Sequence, residues 1–219
     1  PVSNASSGVS GGRNRLAWMV LLPVIILGSV ITTWAITRQT TGGIAAPPIT
    51  SFEQKTFEQQ AVFNARFLPD GQGLIFSAAS FGNRPVLFHL ADSAMAPRQI
   101  GPQDTHLLSV SETGELAVLV DAKYGHHRVL TGTLASMSLD GAPRPLIENV
   151  HDADWGPDDQ MAIVRKVGGV DRLEYPIGNV LYQTSGYVSD IRISPDGKQV
   201  AFLDHQWQSD DRGRLKLVG

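Results

Sequence analysis

The chain has 219 residues, with 18 basic side chains against 21 acidic ones, a formal net charge of -3 and no cysteine. A balance this near neutrality removes the electrostatic case for a nucleic-acid partner, which needs a basic face. The missing thiols exclude a disulfide framework, thiol catalysis and thiolate metal sites, and the length suits one large all-β domain or two ordinary ones.

The sequence opens at Pro1 rather than Met and is read as a fragment or processed piece. Residues 1–12 are rich in Ser, Gly and Asn without a charge, and with Arg13 and Arg15 they make residues 1–15 a disordered juxtamembrane linker. Residues 16–36 then run for 21 positions without a charge. As a helix, that run can cross a hydrocarbon core of about 30 Å. Trp18 and Trp34 sit near its ends, where amphipathic rings favour the interface, and Pro23 is tolerated in such a span. A secretory signal peptide fits less well, because the run is long for one and no small-x-small site follows it directly. A buried core helix would have to be apolar on every face. Arg13 and Arg15, set against Arg38 alone, favour a cytoplasmic N-terminus. Residues 37–51 contain Gly42-Gly43 and Pro47-Pro48 and read as a linker.

Residues 52–219 carry a recurring hairpin. Residues 52–63 are expected to lead into the first copy as a strand. That copy is Phe67-Leu68-Pro69-Asp70-Gly71 followed by Leu74-Ile75-Phe76. The second is degenerate, with Ser111-Glu112-Thr113-Gly114 between two apolar runs. The third is Asp154-Trp155-Gly156-Pro157-Asp158-Asp159 before Met161-Ala162-Ile163-Val164. The fourth is Ile191-Arg192-Ile193-Ser194-Pro195-Asp196-Gly197 before Val200-Ala201-Phe202-Leu203. The turn chemistry has a mechanism: Pro presets φ, Asp bonds its own backbone and Gly accepts a positive φ. The turn positions Asp70, Thr113, Asp158 and Asp196 are 43, 45 and 38 residues apart. Strand-built repeats of about 40 residues are propeller blades. The turns therefore assign structural roles to Pro69, Asp70, Gly71, Gly114, Pro157, Asp158, Pro195, Asp196 and Gly197, and the strands assign blade-core roles to Phe67, Trp155, Ile193 and Phe202.

Outer strands are expected at 85–90 and 98–100 in the first blade, and at 128–134 and 145–147 in the second. In the third, Gly168-Gly169 makes a turn, 179–183 a strand, and 173–177 a loop or irregular edge because Pro176 interrupts pairing. The expected architecture is an all-β, partial β-propeller of four-stranded blades, about three blades plus a hairpin, preceded by one transmembrane helix. The last hairpin shows no third or fourth strand. It would leave Ile191, Ile193, Val200 and Phe202 uncovered, so either the ring is expected to continue beyond Gly219 or the chain is a truncated gene product.

Chemical motifs are sparse. His151, Asp152, Asp154, Asp158 and Asp159 form the densest polar cluster, but Asp152 and Asp154 share one strand face while Asp158 and Asp159 occupy the turn. Asp70-Gly71-Gln72-Gly73 lacks the spaced acidic ligands of a calcium loop. His126 and His127 are adjacent, and neighbours in extended chain point to opposite faces. His205, near Asp204, Asp210 and Asp211, reads as a solvated loop residue. No Gly-x-Ser-x-Gly and no glycine-rich phosphate cradle is present. No catalytic, cofactor-binding or metal-binding residue is assigned, and no cofactor is expected.

The hairpins resemble the WD40-like repeat of the TolB-type propeller family over residues 52–219. Ile193-Ser194-Pro195-Asp196-Gly197 carries the motif in full, Asp159 replaces its glycine in the third copy, Leu68 replaces its serine in the first, and the second keeps Ser111 and Gly114 without Pro or Asp. The arginine-flanked span, Gly/Pro linker and repeats together are similar to the C-terminal half of bacterial transmembrane serine/threonine kinases of the eukaryotic type, as are residues 169–187 around Leu173-Glu174-Tyr175-Pro176. That resemblance implies a kinase domain upstream and an extracytoplasmic propeller that senses or binds. The chain itself holds no kinase signature. The function expected is a membrane-anchored scaffold or sensor with a protein or small-molecule ligand and no nucleic acid. The alternatives are a propeller attached to a serine peptidase or hydrolase, and a TolB-like envelope interaction protein.

Overall fold

The computed structural model describes residues 27, 29, 32–34, 52–126 and 129–219. The chain divides into two units, Pro1–Glu53 and Gln54–Gly219. In the first, Leu27, Ser29, Thr32, Thr33 and Trp34 are helical. The Thr33 hydroxyl donates to the Ser29 carbonyl at 2.7 Å, which satisfies it within its own helix. The expected linkers at 1–15 and 37–51 and the rest of the expected span at 16–36 lie outside the described residues. Among those described, no helix is long and apolar enough to cross a membrane.

The second unit is built of antiparallel strands. The first blade is β1 (Ala61–Phe67), β2 (Gly73–Ala79), β3 (Val86–Ala91) and β4 (Arg98–Ile100), in that order across one sheet. Residues 52–60 carry no strand, contrary to the expectation from sequence. Phe52 and Phe57 are exposed there, and β1 starts only at Ala61, opposite the last residue of β2.

The second and third blades share one seven-stranded sheet. It runs through β5 (His106–Val110), β6 (Leu116–His126), β7 (Val129–Met137), β8 (Arg144–Trp155), β9 (Met161–Val167), β10 (Val170–Glu174) and β11 (Val180–Thr184). The strand β8 serves both blades. Its first half pairs with β7 from Arg144 as far as Val150, and its second half pairs with β9 from Val150 to Trp155. Between them Asn149 turns the chain with a φ of 62°, a conformation that Asn tolerates better than most residues. No turn motif interrupts residues 147–152, so the outer strand of one blade runs straight into the inner strand of the next. The third blade is also more regular than its proline suggests: Leu173 and Glu174 are paired within β10.

The fourth blade is β12 (Tyr187–Ile193), β13 (Val200–His205) and β14 (Gly213–Val218), a third strand that the sequence reading lacked. Its alternating Leu215 and Leu217 pair with Leu203 and Ala201.

Burial repeats from blade to blade. The cross-strand pairs Ser77–Leu87, Leu119–Leu134 and Val164–Leu173 hold the same place in the first three blades, and all six residues are 0% exposed. Each pair packs its blade against the following one, as Leu119 and Leu134 do against Ala153 and Ile163. The fourth pair, Leu203–Leu215, meets no following blade among the described residues, and Leu215 is 74% exposed. Val200, Phe202 and Ile191, expected to be uncovered, are buried instead against Ala162, Val164 and Leu173 of the third blade. The open face is the opposite one.

The same asymmetry corrects the blade-core assignment of Phe67, which is 79% exposed. Its counterparts Val110, Trp155 and Ile193 each pack back onto the preceding blade's interface. Phe67 belongs to the first blade, where no preceding blade supplies that surface. Trp155 and Ile193 are half-buried, and Phe202 is fully buried.

Candidate functional site

The four hairpin turns are built as different solutions to one geometry. Gly71, Gly114 and Gly197 have φ of 69°, 85° and 69°. In the third blade Pro157–Asp159 forms a 3-10 turn, and Asp158 and Asp159 take the positive φ. Asp70 and Asp196 accept from the backbone N–H two residues on, at 2.9 and 3.2 Å. In the second blade, where Asp is missing, the Ser111 hydroxyl accepts from Glu115 N–H at 3.0 Å. Pro69, Pro157 and Pro195 thus sit with these residues in the turns, away from the place where polar side chains of different blades converge.

That place is the row of inner strands, β1, β5, the second half of β8, and β12, which line a cavity of about 200 Å³. Each inner strand breaks register with its neighbour, between Val62 and Asn64, Leu107 and Ser109, Val150 and Asp152, and Ser189 and Arg192. A bulge re-aims side chains at the strand that carries it, and the four bulged strands bring Asn64, His106, Asp152 and Arg192 to the cavity.

Two kinds of side chain stitch neighbouring inner strands together. Asn64 donates its amide to the carbonyls of Leu107 and Leu108 at 3.1 and 2.9 Å. Asp152 occupies the same repeat position and accepts from Ile191 N–H at 3.1 Å, while Asp154 accepts from Ile193 N–H at 2.9 Å. An amide meets carbonyls and a carboxylate meets N–H groups, so each choice satisfies backbone groups of the neighbouring inner strand. Burial pushes the Asp152 carboxyl up to about 6 and raises that of Asp154.

Behind this row, His151 Nε2 lies 3.0 Å from the Val188 carbonyl and 3.2 Å from Asp171 Oδ2. Asp171 also accepts from Val188 N–H at 3.2 Å and faces Lys166 Nζ at 3.3 Å. Burial works to raise its carboxyl, but the bond and charge of His151, with Lys166 and the N–H, outweigh it and hold the carboxyl low. This buried network ties the third blade to the fourth.

The cavity wall also carries Arg66, His106, Ser189, Asp190, Arg192 and His205. Arg66 Nη1 donates to the Asn64 side-chain oxygen and to the Ala65 carbonyl. Burial and then the nearby Arg192 charge lower its pKa. His106 Nδ1 is 2.9 Å from the Ser77 hydroxyl, and burial, followed by Arg66, lowers the imidazole to about 4. The ring of His205 stacks on Tyr187 with centroids 4.0 Å apart, and its Nε2 is 2.9 Å from the Ser189 hydroxyl. Ser189 donates to Asp190 at 2.7 Å, and His205 Nδ1 has no hydrogen-bond partner among the described residues. A nucleophilic serine needs its base oriented by a third group, and none of the described residues bonds His205 Nδ1. No three His, Asp or Glu side chains are grouped to hold a metal ion among the described residues.

Of the polar cluster read from sequence, His151, Asp152 and Asp154 come together at this row, while Asp158 and Asp159 stay in the turn. His205 is buried in the cavity wall, not solvated in a loop. Arg66, His106, Ser189 and Arg192 were not singled out. Aligning the repeats on their turns would have found two of them, since Arg66 and Arg192 both stand four residues before the turn position.

No protein-family model matches the sequence, and no curated protein is similar to it. Among solved structures, a TolB-type protein from Agrobacterium tumefaciens is similar at 16% identity with a TM-score of 0.56, over 70% of this chain and 59% of that one. TolB from Acinetobacter baumannii is similar at 17% identity with a TM-score of 0.53, over 72% of this chain and 41% of that one. The chain therefore spans less than two thirds of the length of either. At these identities the likeness is one of fold: the blades of residues 54–219 form a TolB-like β-propeller.

Proposed function

We propose that residues 54–219 are a binding scaffold or sensor with no turnover of its own, carried by a single-pass membrane protein. The observation that carries this reading is the row of bulged inner strands converging on one polar cavity. Its side chains are held by backbone and oriented for contact, without the base-orienting group that catalysis by Ser189 and His205 would need. Residues 16–36 are the anchor in this reading, with the N-terminus cytoplasmic and the propeller extracytoplasmic. The arginine-flanked uncharged run, the Gly/Pro linker and the repeats further support placing the chain as the C-terminal portion of a bacterial membrane serine/threonine kinase. The TolB-like fold favours a second reading, an envelope interaction protein without a kinase.

The two readings separate on the full-length gene. A kinase domain upstream of residue 1 supports the first, and its absence leaves the second; a hydrolase downstream with no kinase upstream would sink both. Topology is tested with Ser6→Cys and Ser80→Cys in intact cells and an impermeant thiol reagent. Labelling at 80 alone is expected, and labelling at 6 alone would reverse the orientation.

A further inference from the structure

The central cavity holds two guanidinium groups, and neither makes an ion pair among the described residues. Arg66 reaches it from β1 in the first blade and Arg192 from β12 in the fourth. The nearby carboxylates Asp152, Asp154 and Asp190 favour the Arg66 charge at longer range, and each is hydrogen-bonded to another group. Asp152 accepts from Ile191 N–H through one oxygen and from Ala153 N–H through the other, at 3.1 and 2.9 Å. Asp154 accepts from Ile193 N–H, and Asp190 from the Ser189 hydroxyl. Arg66 is also positioned in advance. Asn64 is fixed by two carbonyls of the second blade, and its own oxygen accepts from Arg66 Nη1, leaving Nε and Nη2 for another acceptor.

We propose that Arg66 and Arg192 form an oxyanion-binding site that takes the carboxylate or phosphate group of a small ligand entering the central cavity. This rests on the reading of the propeller as a binding module and names what it binds. A guanidinium presents parallel N–H donors that match such a group in bidentate fashion. Two like charges lining one cavity repel, and an oxyanion between them removes that cost; burial first, and then the Arg192 charge, lowers the Arg66 pKa against the opposing pull of Asp154, Asp152 and Asp190. His106 beside Arg66 is neutral at ordinary pH and adds no third positive charge. Asp152, Asp190 and Asp211 also line the cavity, which favours a singly charged oxyanion over a polyanion.

The test is calorimetric titration of the full chain in detergent with three probes: N-acetyl-Ala-Ala bearing a free carboxylate, its C-terminal amide, and inorganic phosphate. The carboxylate or the phosphate is expected to bind, with the tighter of the two identifying the source of the oxyanion, and the amide at least about tenfold weaker. Arg66→Gln and Arg192→Gln should each weaken oxyanion binding at least about tenfold, and Arg66→Lys should recover part of it. Arg192 is exposed, so its variant keeps the test valid if Arg66→Gln fails to fold. Equal binding of carboxylate and amide, or affinities unchanged in the two glutamine variants, would overturn the site while leaving the binding-module reading intact. Absence of binding by all three probes would overturn it as well, and the gene-level test of the module reading stands apart from either result.

Discussion

The repeat places Leu134 and Leu215 at the same position of the second and fourth blades, yet one is 0% exposed and the other 74%. Truncating each to Ala therefore measures whether the outer face of the fourth blade is open in solution. Leu134 packs into the interface that contains Leu119, Ala153 and Ile163. Removing its buried methyl groups leaves a cavity, and such Leu→Ala changes cost about 2–5 kcal/mol. Leu215 retains roughly a quarter of the burial of a core leucine, whose full burial contributes about 1.5–3 kcal/mol. Its truncation should cost below about 1 kcal/mol. Leu173→Ala, at the same position of the third blade and 0% exposed, is the internal control and should behave as Leu134→Ala does. The assay is urea unfolding of the full chain, followed by tryptophan fluorescence, since Trp155 sits against the interface that Leu134 fills. With m of about 1–3 kcal/mol/M, Leu134→Ala should lower the midpoint by about 1 M or more, and Leu215→Ala by only a few tenths. A Leu215→Ala loss equal to that of Leu134→Ala would refute the reasoning, because Leu215 would then be buried by a surface that the described residues do not supply.

Three further outcomes are expected. Residues 50–219 expressed alone should self-associate through the apolar face that Leu215 and Leu217 expose; Leu215→Lys with Leu217→Lys should shift the size-exclusion peak to monomer, and an unchanged elution would place the contact elsewhere. Burial raises the Asp152 carboxyl from 3.8 to about 6 in the folded chain. The native state therefore holds this proton more tightly than the unfolded one, and the associated stability is present below pH 3.8 and lost as pH rises through 6. Asp152→Asn should flatten the stability profile across that window by no more than about 3 kcal/mol, and parallel profiles for the two proteins would rule this linkage out. Gly71 and Gly197 share a φ of 69°, but an added Cβ meets nothing near Gly71 and comes 2.8 Å from Pro157 Cγ at Gly197. Gly71→Ala should thus cost only the left-handed penalty of about 1–2 kcal/mol, and Gly197→Ala distinctly more. Equal melting temperatures would show that the third and fourth turns do not touch.

Local chemistry settled the hairpins. Pro-Asp-Gly turns at Asp70 and Asp196, flanked by alternating apolar residues, specify a reversal of the chain wherever they occur, because the turn geometry depends on a few adjacent residues. The spacing of four such turns was enough for blades, and alternation alone placed Phe202 in a core. What alternation could not say was which face of a blade has a neighbour. Phe67 and Trp155 hold equivalent positions, and only the stacking of blades leaves the first bare and covers the second. Strand β14 went unread because Gly213 to Val218 alternates too briefly to stand out, and it became a strand through six paired residues on β13. The cavity was hidden for the same reason. Arg66, His106, Asp152 and Arg192 lie far apart along the chain, each on a different inner strand. They share a site because blade packing brings the four bulged strands side by side, an effect that resides in non-local pairing and in no single stretch of sequence.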